Sequence, residues 1–282
     1  MKFSKAEGLG NDFVIVREGS LEDADWPLLA REMCERHTGI GADGLLVYHA
    51  LSKSKPGSFR MRIFNADGSE AELSGNGLRC LAAHLCALEE GKLDEILIQT
   101  QAGSHLLRLT ALAHPSYWFL VEMGQPILER SRIDFTGCND SQNLVGCSIP
   151  LDDKTIQATI SSMGNPHCTI FVNAFDQMDW EEIGKQLETH EFFPRRTNVE
   201  FVRVIDPRNI EVRFWERGVG KTLSSGTGTS AAVVASILNG FTEKEVVVHT
   251  LGGILEIDWL EDKQIHLRGP AKLICEGEYY VG

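Results

Sequence analysis

Apolar and polar residues alternate along much of this chain, which predicts a strand-rich protein with a few helices between the strands. A first strand is expected over residues 13–16, entered through the turn Gly8-Leu9-Gly10-Asn11-Asp12. Residues 28–36 have helical spacing and end at the glycines of Thr38-Gly39-Ile40-Gly41-Ala42-Asp43-Gly44. A strand over 45–48 and a polar hairpin loop over 52–57 lead into a strand over 60–65. After Ser74, the residues Leu78, Leu81, Ala82, Leu85 and Leu88 form one helical stripe that stops near Gly91. Strands over 96–100, 105–109 and 117–123 follow. The second half has the same order. Strands over 156–160 and 168–172 bracket the turn Met163-Gly164-Asn165-Pro166-His167, an echo of Gly10-Asn11. A helix over 180–188, strands over 199–204 and 210–215, a helix after Ser225, and strands over 246–249, 254–258 and 265–267 complete the chain.

One sentence of the sequence is written twice. Arg62, Ser74 and Gly77 recur as Arg213, Ser225 and Gly228, each 151 positions later (213 − 62, 225 − 74, 228 − 77). Each copy is an alternating strand, a charged glycine-bearing turn, and Ser-Gly-x-Gly opening a helix of small residues, as a whole-domain duplication would give. The second helix carries no charge between Lys221 and Glu243, and from Ala231 to Leu238 its one polar side chain is Ser236. A helix apolar on all sides is buried on all sides. The helix after Ser74 is expected to be enclosed in the same way, less uniformly because of Arg79 and His84. The fold class this predicts is α+β: two pseudo-symmetric domains, each a curved mixed or antiparallel sheet around a central helix. The chain crosses between halves near Gly124-Gln125-Pro126.

Composition narrows the partners. The 282 residues suffice for two ordinary domains, and 43% hydrophobic with 24% charged residues is globular. A net charge of −13 argues against nucleic acid or an anionic membrane as the main partner. No apolar run approaches the roughly 20 residues of a membrane span, and Met1-Lys2-Phe3-Ser4-Lys5 has no signal-peptide character. Seven cysteines without Cys-x-x-Cys spacing fit reduced thiols and a cytoplasmic location. A homodimer is compatible with the sequence.

The candidate chemistry lies at the glycine-rich turns. Serine is a strong N-cap, so Ser74 and Ser225 have a purely structural reading. Two such starts at a fixed offset also present two sets of backbone N–H groups suited to an anion, and facing one space they would suit a substrate charged at both ends. Gly226 to Ala231 fits a dinucleotide G-x-G-x-x-A pattern, but the acid that should close the following strand stands before it, as Glu245. Asn11, Asn65, Asn165, Asn198 and Glu216-Arg217 sit at turns, where they serve as turn formers or as ligand contacts. Asp12, Asp43 and Asp67 read as turn-stabilising. His167 reads equally as an acid/base or as a strand-end histidine. No cluster of His, Cys and carboxylates has metal-ligand spacing, so no metal is expected.

At these residues the sequence resembles the diaminopimelate epimerase family. The likeness rests on Gly8-Leu9-Gly10-Asn11-Asp12-Phe13, Gly39-Ile40-Gly41-Ala42-Asp43-Gly44, Asn65-Ala66-Asp67-Gly68-Ser69-Glu70 and Gly75-Asn76-Gly77. It continues through Met163-Gly164-Asn165-Pro166-His167, Trp215-Glu216-Arg217-Gly218, Gly226-Thr227-Gly228, Gly252-Gly253 and Leu267-Arg268-Gly269-Pro270-Ala271. The resemblance implies an N-terminal domain over 1–118 to which 271–282 return, a C-terminal domain over 119–270, and an active site in the cleft they share. It implies a cofactor-independent isomerase that interconverts LL- and meso-diaminopimelate for lysine and cell-wall synthesis, one residue removing the α-proton and another returning one. Asn11, Gly44, Asn65, Asn165, Asn198, Glu216 and Arg217 are then substrate-binding. Gly75-Asn76 and Gly226-Thr227 cradle the reacting carboxylate, and His167 and Glu216 support the acid/base pair.

This sequence departs from the family where the chemistry is done. The two acid/base cysteines of the family correspond to Ser74 and Ser225. A cysteine near pKa 8.5 becomes a thiolate readily at a helix N-terminus, whereas a serine acts only if a neighbour takes its proton. Cys80 lies six residues beyond Ser74, inside the helix, and does not replace it. Ser224 and Thr229-Ser230 also depart from the family's usual Ala and Ala-Cys, which favours a natural variant over an engineered trap. The alternatives are an isomerase or dehydratase of a related amino acid that uses Glu216 or His167, and a non-catalytic amino-acid-binding protein.

Overall fold

A computed structural model describes residues 1–21, 23–51, 57–89, 92–138, 144–152 and 154–281. Residues 52–56 of the expected polar loop and Gly91 lie outside the described residues. The chain forms two compact units, Met1–Glu122 with Arg268–Gly282, and Met123–Leu267.

In the first unit the strands β1 (Lys2–Gly8) and β2 (Asn11–Arg17) pair antiparallel around a two-residue turn, Leu9-Gly10, with φ of 57° and 84°. Such a turn needs positive φ at both positions. Helix α1 (Trp26–Cys34) crosses over to β3 (Gly44–Ala50), which runs parallel to β2 and antiparallel to β4 (Ser58–Asn65). Asp25 caps α1 by accepting from Leu28 N, and Pro27 occupies its first turn. The short β5 (Glu70–Ala71) folds back on β4. Helix α2 (Gly75–Leu88) then leads to β6 (Glu95–Thr100), parallel to β4, followed by β7 (Gly103–Ala113) and β8 (Ser116–Gly124).

The second unit repeats the scheme. It opens with β9 (Cys147–Leu151), β10 (Lys154–Ser162) and β11 (Pro166–Phe171). Helix α3 (Trp180–Glu188) crosses to β12 (Asn198–Asp206), parallel to β11 and antiparallel to β13 (Asn209–Glu216). After the short β14 (Gly220–Thr222) and α4 (Gly226–Leu238), β15 (Glu245–Thr250) runs parallel to β13 and pairs with β16 (Gly253–Trp259). Parallel, antiparallel, parallel, antiparallel is the order in both units, with a helix at each parallel crossover. The last strand, β17 (Ile265–Glu278), begins in the second unit and ends in the first, where Lys272–Glu278 pair with β1.

Each unit is α+β with its core around one helix. Residues Gly228 to Ser236 of α4 are all buried, packed against β10 to β13 and β16. Residues Asn76 to Cys86 of α2 are buried as well. Arg79 and His84, expected to loosen that enclosure, are inside it at 1% and 6% exposure. His84 Nε2 meets the Tyr48 hydroxyl at 3.0 Å, and burial pushes the imidazole down to about 4, so it stays neutral. No helix among the described residues is long and apolar enough to cross a membrane.

The strands β1, β5, β9 and β14 and the long tail of β17 escaped the sequence pattern. The inward positions of β1 are Ser4, Ala6 and Gly8, and those of β17 beyond Leu267 are Gly269 and Ala271. Small residues bury an alternating face without the large apolar side chains that reveal alternation.

Candidate active site

Ser74 and Ser225 begin α2 and α4 in nearly the same backbone conformation, φ −140° and ψ 118° or 128°. Each is an N-cap. Ser74 Oγ accepts from Gly77 N at 3.0 Å, and Ser225 Oγ accepts from Gly228 N at 3.3 Å. The first intrahelical bonds run from Leu78 N to Ser74 O and from Thr229 N to Ser225 O, both 2.9 Å. The N–H groups of Gly75-Asn76 and Gly226-Thr227 stand ahead of those bonds and remain as donors at the positive end of each helix.

The two starts differ in what else they hold. Ser225 Oγ donates to Glu216 Oε2 at 2.9 Å, while both residues are largely shielded from solvent. Its hydroxyl proton therefore points at a carboxylate. Ser74 has no such acceptor among the described residues of its unit. The 151-residue offset explains why: position 65, the counterpart of Glu216 (216 − 151), is asparagine. Asn65 is exposed and donates to Ser69 Oγ at 2.9 Å, closing the turn in which Asp67 accepts from Ser69 N at 2.8 Å. The bonds from Ser69 hold the Asp67 carboxyl below the usual carboxylate range.

Around Ser74, Asn11 Nδ2 donates to Asp43 Oδ2 at 2.7 Å, which leaves Asn11 Oδ1 as a free acceptor among the described residues. Asp43 and Asp12 share Arg36, at 2.8 and 3.0 Å, and Lys5 lies 2.9 Å from Asp12. Burial acts to raise the Asp12 carboxyl, but the bonds from Arg36 and Lys5 outweigh it and leave Asp12 below its ordinary value. Asn76 is buried, its Oδ1 taken by Arg79 Nη2 at 2.5 Å. Arg79 also donates to Pro270 O and Gly75 O, and complete burial lowers its guanidinium to about 10. Burial likewise pushes the Cys80 thiol up, away from the thiolate a catalytic cysteine needs. Gly44 sits at the start of β3, where a Cβ would meet Phe64 O at 2.8 Å. Its place in the structure is one of strand packing.

Around Ser225, Asn198 and Glu188 hold the turn that carries Glu216 and Arg217. Asn198 Nδ2 donates to Pro166 O and its Oδ1 accepts from Arg217 N, both at 3.0 Å. Glu188 accepts from Gly218 N and Trp215 Nε1, both at 2.8 Å. Arg217 itself is exposed, with Nη1 3.3 Å from Arg195 O. His167 lies inside β11 and is fully buried, not at the turn, which ends at Asn165. Its Nδ1 is 2.7 Å from Glu200 Oε1 and its Nε2 is 3.0 Å from Asn165 Oδ1, so both ring nitrogens are engaged.

Glu188 and Glu200 were not singled out from the sequence, and Arg79 was named only for interrupting an apolar helix. A signal existed for Glu200: in Asn198-Val199-Glu200-Phe201-Val202 an acid stands in an otherwise apolar strand. Among the described residues no group of three or more His, Cys, Asp or Glu side chains is placed to hold a metal ion.

The architecture and these two helix starts define a class. Its fold is shared by a predicted epimerase from Pseudomonas aeruginosa, 17% identical at TM-score 0.67 with 100% of this chain and 99% of that one covered. A hydroxyproline epimerase from Agrobacterium vitis solved with trans-4-hydroxy-L-proline is 13% identical at TM-score 0.65, over 98% and 90% of the two chains. The family model "Diaminopimelate epimerase" matches residues 3–129 and 159–274. The diaminopimelate epimerase of Pelotomaculum thermopropionicum is 44% identical over 281 residues, 99% of each chain, and that of Desulfitobacterium hafniense is 41% identical over 280 residues, 98% and 97%. This chain belongs to the diaminopimelate epimerase family.

Proposed function

We propose that this protein is an isomerase that interconverts LL- and meso-diaminopimelate, with Ser225 and Ser74 as its two acid/base residues. The observation that carries the reading is the Ser225–Glu216 hydrogen bond of 2.9 Å at a helix N-terminus. Glu216 takes the hydroxyl proton as Ser225 Oγ takes the proton from the α-carbon, so no free alkoxide forms on that side. Ser74 Oγ gives its proton to the opposite face and regains one from water, while Glu216 releases its proton to water. The N–H groups of Gly226-Thr227 and those of Gly75-Asn76 each form a cradle at a helix start that suits a substrate carboxylate. Arg79, buried behind Asn76, places a positive charge beneath the second of these cradles. Asn11 Oδ1 offers an acceptor for an ammonium group, and Asn65, Asn165 and Arg217 supply further contacts.

Support is unequal on the two sides. Ser225 has a carboxylate to receive its proton and Ser74 has none among the described residues of its unit, so proton removal through Ser225 is the easier half of the reaction. The same observation supports a one-base isomerisation in which Glu216 and Ser225 act alone. Serine-to-alanine variants separate the two readings, as described below.

Incubation of LL-diaminopimelate with the protein should yield the meso isomer, resolved by chiral chromatography, at a rate proportional to enzyme. A protein that binds diaminopimelate but neither inverts it nor exchanges its α-hydrogen overturns the reading in favour of a binding protein.

A further inference from the structure

Glu200 is a fully buried carboxylate in a strand of apolar residues, and nothing in the acid/base scheme uses it. Its Oε1 is 2.7 Å from His167 Nδ1, its Oε2 accepts from Thr169 Oγ1 at 3.4 Å, and its side chain lies against the first turn of α4, where a Cβ on Gly228 would come within 3.0 Å of Oε1. The charged and titratable groups that bear on it are His167 and Cys168 on β11 and Glu216 on β13. Beyond His167, Nε2 faces Asn165 Oδ1 at 3.0 Å.

We propose that Glu200 is a positioning residue: the buried His167–Glu200 pair holds two protons at neutral pH and thereby locks Asn165 with Oδ1 inward and its amide N–H₂ outward, as a donor to a carboxylate of the ligand. The logic is one of proton counting. Asn165 Oδ1 can only accept, so Nε2 must carry a proton. The second proton lies on Nδ1 or on the carboxyl, and either arrangement leaves the pair with no net charge. Removing one proton would leave a net negative charge in a fully buried pair beside the carboxylate of Glu216, which is costly. Burial, with Glu216 adding to it and His167 opposing it, raises the Glu200 carboxyl above its ordinary value, in the direction that retains the proton. When the proton is lost at high pH, the remaining one settles on Nδ1 against the carboxylate. Nε2 becomes an acceptor, the amide of Asn165 turns over, and its outward face presents an oxygen where a donor is needed. The outward orientation rests on the reading above that Asn165 meets the ligand; the proton count does not.

The test combines a spectroscopic and a binding measurement on the full chain. In the free protein, ¹⁵N-edited NMR of the His167 ring at neutral pH should show Nε2 protonated. It should lose that signature on raising pH, while in Glu200→Gln, whose amide donates to Nδ1, Nε2 stays protonated throughout. Calorimetry with an equilibrated mixture of diaminopimelate isomers should show wild-type affinity falling about tenfold across the same pH interval, the cost of losing one hydrogen bond to a charged group. Glu200→Gln should have a flat affinity profile over that interval, which a merely structural role of Glu200 would not produce. A wild-type ring protonated at Nδ1 alone at neutral pH, or a Glu200→Gln variant with the wild-type pH dependence, overturns the proposal. The expected NMR behaviour without any diaminopimelate binding supports the proton count and overturns the ligand reading instead.

Discussion

Glu216→Gln is expected to lower turnover of diaminopimelate by about 10²–10⁴-fold, the usual worth of a positioned acid or base. The substitution is almost isosteric, and the glutamine oxygen can still accept the 2.9 Å bond from Ser225 Oγ. It cannot accept the proton itself. The backbone around position 216 is held independently, by Asn198 on Arg217 N and by Glu188 on Gly218 N and Trp215 Nε1. The melting temperature should therefore stay close to wild type while kcat collapses, and circular dichroism beside the isomer assay checks both. A folded variant turning over at the wild-type rate would remove Glu216 from the proton path.

The Ser74→Cys, Ser225→Cys double variant is expected to raise epimerisation by about 10²-fold or more, since each hydroxyl is replaced by a stronger acid whose anion is available near neutrality. Both serines stand at helix N-termini with matching φ and ψ, and the N–H groups of Gly77 and Gly228 that now meet a hydroxyl would stabilise a thiolate. Inversion needs an acid and a base on opposite faces of the carbon, so neither single change should suffice. Each single variant should exchange the α-hydrogen from its own side faster than it inverts the centre. Chiral chromatography and mass analysis in heavy water read the two processes separately. A folded double variant that binds diaminopimelate yet shows no gain in either would assign this site to another substrate.

The plan of the fold was legible because the duplication preserves it. The 151-residue offset aligns strands, turns and caps, and the uncharged run after Lys221 identified α4 as a buried central helix. Arg79 and His84 blurred the same reading of α2, because a buried polar residue is legible only once its partners, here Pro270 O and the Tyr48 hydroxyl, are known. Strand β1 and the long tail of β17 were hidden by Ser4, Ala6, Gly8, Gly269 and Ala271, which fill inward positions without bulk. Two- and three-residue strands such as β5 and β14 are too short for any periodicity. At the candidate site, Ser225 and Glu216 were both named from the sequence, but their hydrogen bond joins residues nine apart across a turn, a pairing that no sequence periodicity carries. His167 shows the same limit. Its neighbour Asn165-Pro166 reads as a turn, yet β11 begins at Pro166 and carries the ring inward against Glu200, a residue 33 positions away.

The central claim is that Ser225, through Glu216, is the side on which the α-proton is removed most readily. Hydrogen exchange at the α-carbon of diaminopimelate in heavy water, compared between Ser74→Ala and Ser225→Ala, tests it most directly. The account predicts that Ser74→Ala still incorporates deuterium at the α-carbon but does not invert it, while Ser225→Ala loses both exchange and inversion. Exchange that survives Ser225→Ala and disappears in Ser74→Ala would contradict the account and move the base to the other helix start.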